Sequence, residues 1–143
     1  MCIRDRASAA RDLCRRQGVR LLLNRDPARA RGLAGDGLHL TGQHLAGLSE
    51  RPRDWGLVGA SCHGAVDLAR AADLGLDYAL LSPLMPKSRR PGAPHLGWER
   101  FAVLVADARL PVYALGGLGS EDLDQAIERG AQGIAAIRGL WSV

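Results

Sequence analysis

The chain has 143 residues, enough for one domain with a sizeable core and too few for two. Hydrophobic residues make up 47% and charged residues 24%, a globular composition that excludes a disordered tail. Apolar runs such as 21–23 and 112–115 fall far short of the roughly 18 residues that span a bilayer. No membrane association is expected, and no amino-terminal stretch reads as a secretory signal, so a cytoplasmic chain is expected.

Nineteen basic against fifteen acidic residues give a formal charge of +4. Eighteen of the nineteen are Arg, scattered singly or in pairs, and aromatics are only 4%. Without a basic stripe interleaved with stacking platforms, no nucleic-acid partner is expected. A small anion suits the forked donors of Arg better. Cys2, Cys14 and Cys62 are odd in number and form no C-x-x-C pair, which fits a reduced chain.

Along the chain one unit recurs: a helical stretch ends in Gly, two residues follow, and an apolar run begins. It appears at Gly18-Val19-Arg20, Gly75-Leu76-Asp77 and Gly130-Ala131-Gln132. Glycine supplies the left-handed position that stops a helix. Six strands are predicted, at 20–24, 37–40, 57–61, 78–82, 112–115 and 134–137. Their apolar runs are continuous, as in parallel strands covered on both faces. Between them, Val66, Ala69 and Ala72 share one predicted helix face, and Trp98, Phe101, Ala102 and Val105 another. Ser120, followed by Glu121 and Asp122, reads as a helix N-cap. This alternation means α/β architecture, either an open doubly wound sheet or part of a (β/α)8 barrel.

Four segments have the composition of a site. Leu115-Gly116-Gly117-Leu118-Gly119-Ser120 runs a buried strand into paired glycines and a helix start, where bare amides suit a phosphate; the plain alternative is a tight βα turn. Ile137-Arg138-Gly139 adds a cation at the next junction. The loop 83–92 holds Lys87, Arg89 and Arg90 between prolines, as a cationic lid or as a solvated charge run. Gly59-Ala60-Ser61-Cys62-His63 puts Ser61 and His63 on one side of a strand end, where His63 would shuttle protons or cap backbone groups. His39, His44 and His95 lack metal-site spacing, so no metal site is expected from the histidines.

These segments, with Asn24-Arg25-Asp26, Asp36-Gly37-Leu38-His39-Leu40, Ser82-Pro83 and Gly130-Ala131-Gln132-Gly133-Ile134, stand in an order that resembles the thiamine phosphate synthase and thiazole tautomerase family. The resemblance runs from about Ala9 onward and is closest to the variant fused behind a Nudix hydrolase domain. It implies a (β/α)8 TIM barrel that is incomplete here, with about strands 3 to 8 present. Residues 1–143 would then form a single partial barrel domain, with 1–8 a non-native or disordered lead-in. The implied substrates are phosphorylated thiazole and pyrimidine compounds, and a Nudix domain is the implied partner. Asn24 and Ser61 match pyrimidine-contacting positions; Gly116 and Gly117, with Ile137 and Arg138, match the thiazole-phosphate site. Lys87, Arg89 and Arg90 stand where the synthase loop holds phosphates, and His63 resembles the proton-transfer His of the tautomerase branch. Arg25 and His44 occupy the places where the synthase binds Mg²⁺ through aspartates, a poor exchange of hard oxygen ligands. The implied activity is joining of thiazole phosphate to the pyrimidine diphosphate or tautomerase-like proton transfer, with a non-catalytic intermediate-binding module as the alternative.

Overall fold

The structure is a computed structural model that describes residues 2–86 and 92–140. Six parallel strands, β1 (Leu22–Asn24), β2 (Gly37–Leu40), β3 (Leu57–Cys62), β4 (Tyr78–Leu81), β5 (Val112–Leu115) and β6 (Gly133–Ala135), pair in strict chain order. They form a curled half-barrel with helices on its outside. Parallel neighbours need crossovers, and these are α2 (Pro27–Ala30), α3 (Gly42–Gly47), α4 (Ala65–Asp73) and α5 (Gly97–Ala106), with α6 (Leu123–Glu128) before β6. The open-sheet alternative gives way to the barrel expectation: the order β1 to β6 never reverses, so there is no topological switch point.

The repeated glycine unit holds. Gly18, Gly75 and Gly130 have φ of 66°, 68° and 93°, and each ends a helix or turn before a strand. Below the sheet, Asp36 and Asp77 perform one trick twice. Asp36 Oδ2 accepts from Leu21 N at 2.8 Å while Asp36 N donates to Leu21 O at 2.8 Å. Asp77 repeats the exchange with Val58 at 2.7 and 2.8 Å. Because Asp36 takes the Leu21 amide, β1 starts at Leu22 and not at Arg20.

The core lies between the outer sheet face and the helices, where Leu38, Leu40, Val58, Ala60, Cys62, Ala79, Leu81, Val112 and Ala114 are buried against Leu45, Leu68, Ala71 and Phe101. Burial alternates along β4 and β5, contrary to the expectation of strands covered on both faces. Their other side faces the part-open inside of the curl, so only one parity is sealed. In α4 the buried stripe is Leu68 and Ala71, while Val66 is 81% exposed. The expected face of Val66, Ala69 and Ala72 is therefore corrected: the face that packs into the core is the one carrying Leu68 and Ala71. The Ser120 cap is also corrected. Gly119 holds the cap position, and Asp122 Oδ2 accepts its N–H at 2.9 Å, a charge-assisted bond stronger than a hydroxyl would make. Residues 3–8 of the expected non-native or disordered lead-in lie in α1 (Ile3–Arg16), which has Asp5 in its first turn and Arg15 and Arg16 in its last, matching the helix dipole.

Much of the basic charge is structural. Arg70 donates to the Leu45, Ala46 and Leu48 carbonyls and so terminates α3. Arg51 binds Gly75 O, Gly56 O and Asp77 Oδ2.

Candidate functional site

The carboxyl ends of the strands gather the polar residues, and inward parity selects which of them face the curl. In register, Asn24 pairs with His39, His39 with Gly59, and Gly59 with Tyr78. One step higher, Ser61 pairs with Leu80. Asn24, His39, Ser61 and Tyr78 therefore share the inner face.

The β5 and β6 turns meet. A Cβ on Gly139 would collide with Leu118 O and lie 2.9 Å from Gly119 Cα, so the turn after β6 rests on the backbone of the turn after β5. Gly116 and Gly117 have φ of 121° and 72°, where side chains are strained. Among the described residues, the N–H groups of Gly117, Leu118 and Gly139 have no hydrogen-bond acceptor, and Arg138 makes no ion pair. Arg138 and Ile137 are exposed beside them. Bare amides at a strand-to-helix turn, with a free guanidinium alongside, are suited to an anion.

The 83–92 loop starts on this turn. Leu84 N donates to Leu115 O at 3.0 Å and Met85 N to Gly116 O at 3.1 Å. On its return, Leu96 N donates to Pro83 O and Gly97 N to Leu84 O, both at 2.9 Å. Both roots of the loop are thus fixed beside Gly116. Lys87, Arg89 and Arg90 lie outside the described residues.

His63 sits at the mouth between β3 and β4. Its Nδ1 is 2.9 Å from Ser82 O, and a carbonyl only accepts, so Nδ1 carries the proton. In the neutral ring Nε2 then holds the lone pair, facing Gly42. His63 N donates to Asp67 Oδ2 at 2.8 Å, which fixes the backbone as well.

At the other end, Asn24 is exposed at the tip of β1. Asp26 Oδ1 accepts from Ala28 N at 2.7 Å and Arg29 N at 3.1 Å and caps α2. The bond from Arg29 N is the chief reason its carboxyl lies below the ordinary range. Thr41 caps α3 through His44 N at 3.2 Å, and His44 Nδ1 is buried without a partner among the described residues. These residues do not fit Mg²⁺. Arg25 and His44 offer a cation and an imidazole, Asp26 is engaged by its helix, and no group of three His, Cys, Asp or Glu side chains converges among the described residues.

Sequence reasoning missed His39 and Tyr78. His39 is 8% exposed, its Nδ1 is 2.8 Å from Tyr78 Oη and its Nε2 2.9 Å from Ser61 Oγ. The available signal was parity: Gly59, the neighbour of both in register, is glycine because a Cβ there would fall onto the Tyr78 ring. Cys62, by contrast, is the buried small hydrophobe its strand position suggests, its thiol pushed up to about 12 by desolvation.

The family model for thiamine monophosphate synthase matches residues 2–140. The chain belongs to the thiamine monophosphate synthase family. Thiamine-phosphate synthase from Methylobacillus flagellatus is 36% identical over 142 residues, covering 96% of this chain and 67% of that protein. The Thermus thermophilus thiamine-phosphate synthase is 35% identical over 130 residues, covering 90% of this chain and 63% of its own. The chain thus spans about two thirds of the length of these relatives. The solved thiamine phosphate pyrophosphorylase from Pyrococcus furiosus superposes with a TM-score of 0.72 over 93% of this chain and 64% of its own, at 20% identity, which shows the shared barrel-type fold. No described helix is long and apolar enough to cross a membrane.

Proposed function

We propose that this chain binds thiazole phosphate at the β5 and β6 turns and takes part in joining the thiazole to a pyrimidine diphosphate. The observation that carries this reading is the contact between those turns, which sets the unpartnered amides of Gly117, Leu118 and Gly139 beside Arg138. Such donors favour a phosphoryl dianion without reorganising, because the backbone is already fixed. Lys87, Arg89 and Arg90, at positions that resemble the phosphate-holding loop of the family, supply cations for the phosphorylated substrates. Ser61 and Asn24, on the inner face, would meet the pyrimidine. In the joining step a carbon–nitrogen bond forms to the thiazole nitrogen and the carbon–oxygen bond to diphosphate breaks. The departing diphosphate then calls for cationic partners, in a site whose Arg25 and His44 do not suit Mg²⁺. Family membership supports the substrate pair. The test is pyrophosphate release from the pyrimidine diphosphate, dependent on added thiazole phosphate; release that ignores the thiazole contradicts the reading.

One observation favours a second activity at the same site. The bond from His63 Nδ1–H to Ser82 O leaves Nε2 as a base at the mouth, which suits proton transfer on a thiazole ring held by its phosphate. The His63→Ala variant would then lose isomerisation of the thiazole phosphate while still binding it.

A further inference from the structure

The inner wall carries a polar chain that crosses three strands: Tyr78 Oη on β4, the His39 ring on β2, and Ser61 Oγ on β3, linked at 2.8 and 2.9 Å. The Tyr78 and His39 rings are also stacked, with centroids 5.7 Å apart, and the edge of Tyr113 closes on Tyr78 at 5.9 Å. Gly59 and Gly133 leave the space these rings fill. Burial disfavours charge on His39, so its pKa lies below the ordinary histidine value and the ring is neutral. A neutral imidazole has one N–H and one lone pair, so the chain runs in one of two directions.

If Ser61 donates to Nε2, the Tyr78 proton is left unmatched among aromatic rings, with no other acceptor among the described residues. If Tyr78 donates to Nδ1, Nε2–H donates to Ser61 Oγ, and the unmatched proton is that of Ser61. Ser61 lies one inward step nearer the strand ends, where a ligand enters. A phenol is a stronger donor than an alcohol, and an alcohol a better acceptor than a phenol, which favours the second direction again.

We infer that Tyr78 and His39 are positioning residues that set the Ser61 hydroxyl as a hydrogen-bond donor, aimed at an acceptor atom on the pyrimidine ring. This rests on the reading of Ser61 as a pyrimidine contact. The device gives specificity: with its lone pair facing His39 Nε2–H, Ser61 favours a ring that accepts over one that donates.

The test has two parts. Nitrogen-15 NMR of the His39 ring in the ligand-free 143-residue chain reports the tautomer. The expected result is a proton on Nε2 and none on Nδ1; a proton on Nδ1, or rapid exchange between the two forms, overturns the inference. Titration with the pyrimidine diphosphate then compares Tyr78→Phe, Ser61→Ala and the double variant. Each single change should weaken binding roughly tenfold and the double change little more, because one hydrogen bond is lost in every case. Affinity for thiazole phosphate should stay unchanged. Equal weakening of both ligands, or fully additive losses, marks Tyr78 as structural and overturns the inference. An unmodified chain that binds neither ligand overturns the function proposed above, while the tautomer still decides the direction of the chain.

Discussion

The two ends of the sheet present opposite chemistry at the same rim. Around β5 and β6, the turns pack against each other, and the amides of Gly117, Leu118 and Gly139 have no acceptor among the described residues. Around β1 and β2, the backbone amides that open the helices are already used: Asp26 takes those of Ala28 and Arg29, and Thr41 takes that of His44. One end leaves turn amides without acceptors, and the other spends its turn amides on helix caps. An anion site therefore needs donors the fold does not consume, and motif residues alone do not reveal that.

The largest expected effect tests the centre of the rim. His63→Ala should slow thiazole phosphate isomerisation by about 10²- to 10⁴-fold, the usual contribution of a placed general acid or base, with binding preserved. A rate within a factor of two of the unmodified chain removes the second activity. Next, Gly117→Asp should weaken thiazole phosphate binding by about 100-fold in calorimetry. It adds a repelling charge, forces a side chain onto φ 72°, and meets Met85 Cβ at 3.1 Å. An equal loss on placing Asp at exposed Gly47 instead would erase the contrast between the two ends.

Arg138→Ala should cost roughly tenfold in the same titration and flatten its salt dependence. The smallest effect is on stability. Cys62 and Tyr78 are both held protonated, each pushed up to about 12 chiefly by desolvation. Their folded values exceed their ordinary 9.0 and 10.0, so the stability they contribute is complete below pH 9 and is lost as pH climbs toward 12. Denaturant midpoints should fall across that range. Cys62→Ala should flatten the first part of the decline, and an unchanged slope would contradict this assignment.

The fold was largely legible in the sequence because its signals are local. Glycine at a helix end and a continuous apolar run need no partner to be read, and β2 and β5 fall on their expected bounds. The buried face of α4 was not legible, since choosing Leu68 over Val66 depends on the groove the sheet presents. The turn after β5 was visible as the pair Gly116-Gly117, and the turn after β6 as Ile137-Arg138-Gly139. That the two junctions belong together was also expected, while the contact of Gly139 with Leu118, about twenty residues away, comes from the curl of the sheet. His39 and Tyr78 were hidden for the same reason, as each looks like ordinary strand composition until register places them on one wall.

Amide NMR of the chain titrated with thiazole phosphate tests the central claim most directly. The backbone resonances of Gly117, Leu118 and Gly139 should move first and furthest, and inorganic phosphate should reverse part of the change by competition. Shifts that begin at Arg25, Asp26 and His44, with the glycine turns unmoved, would contradict the account.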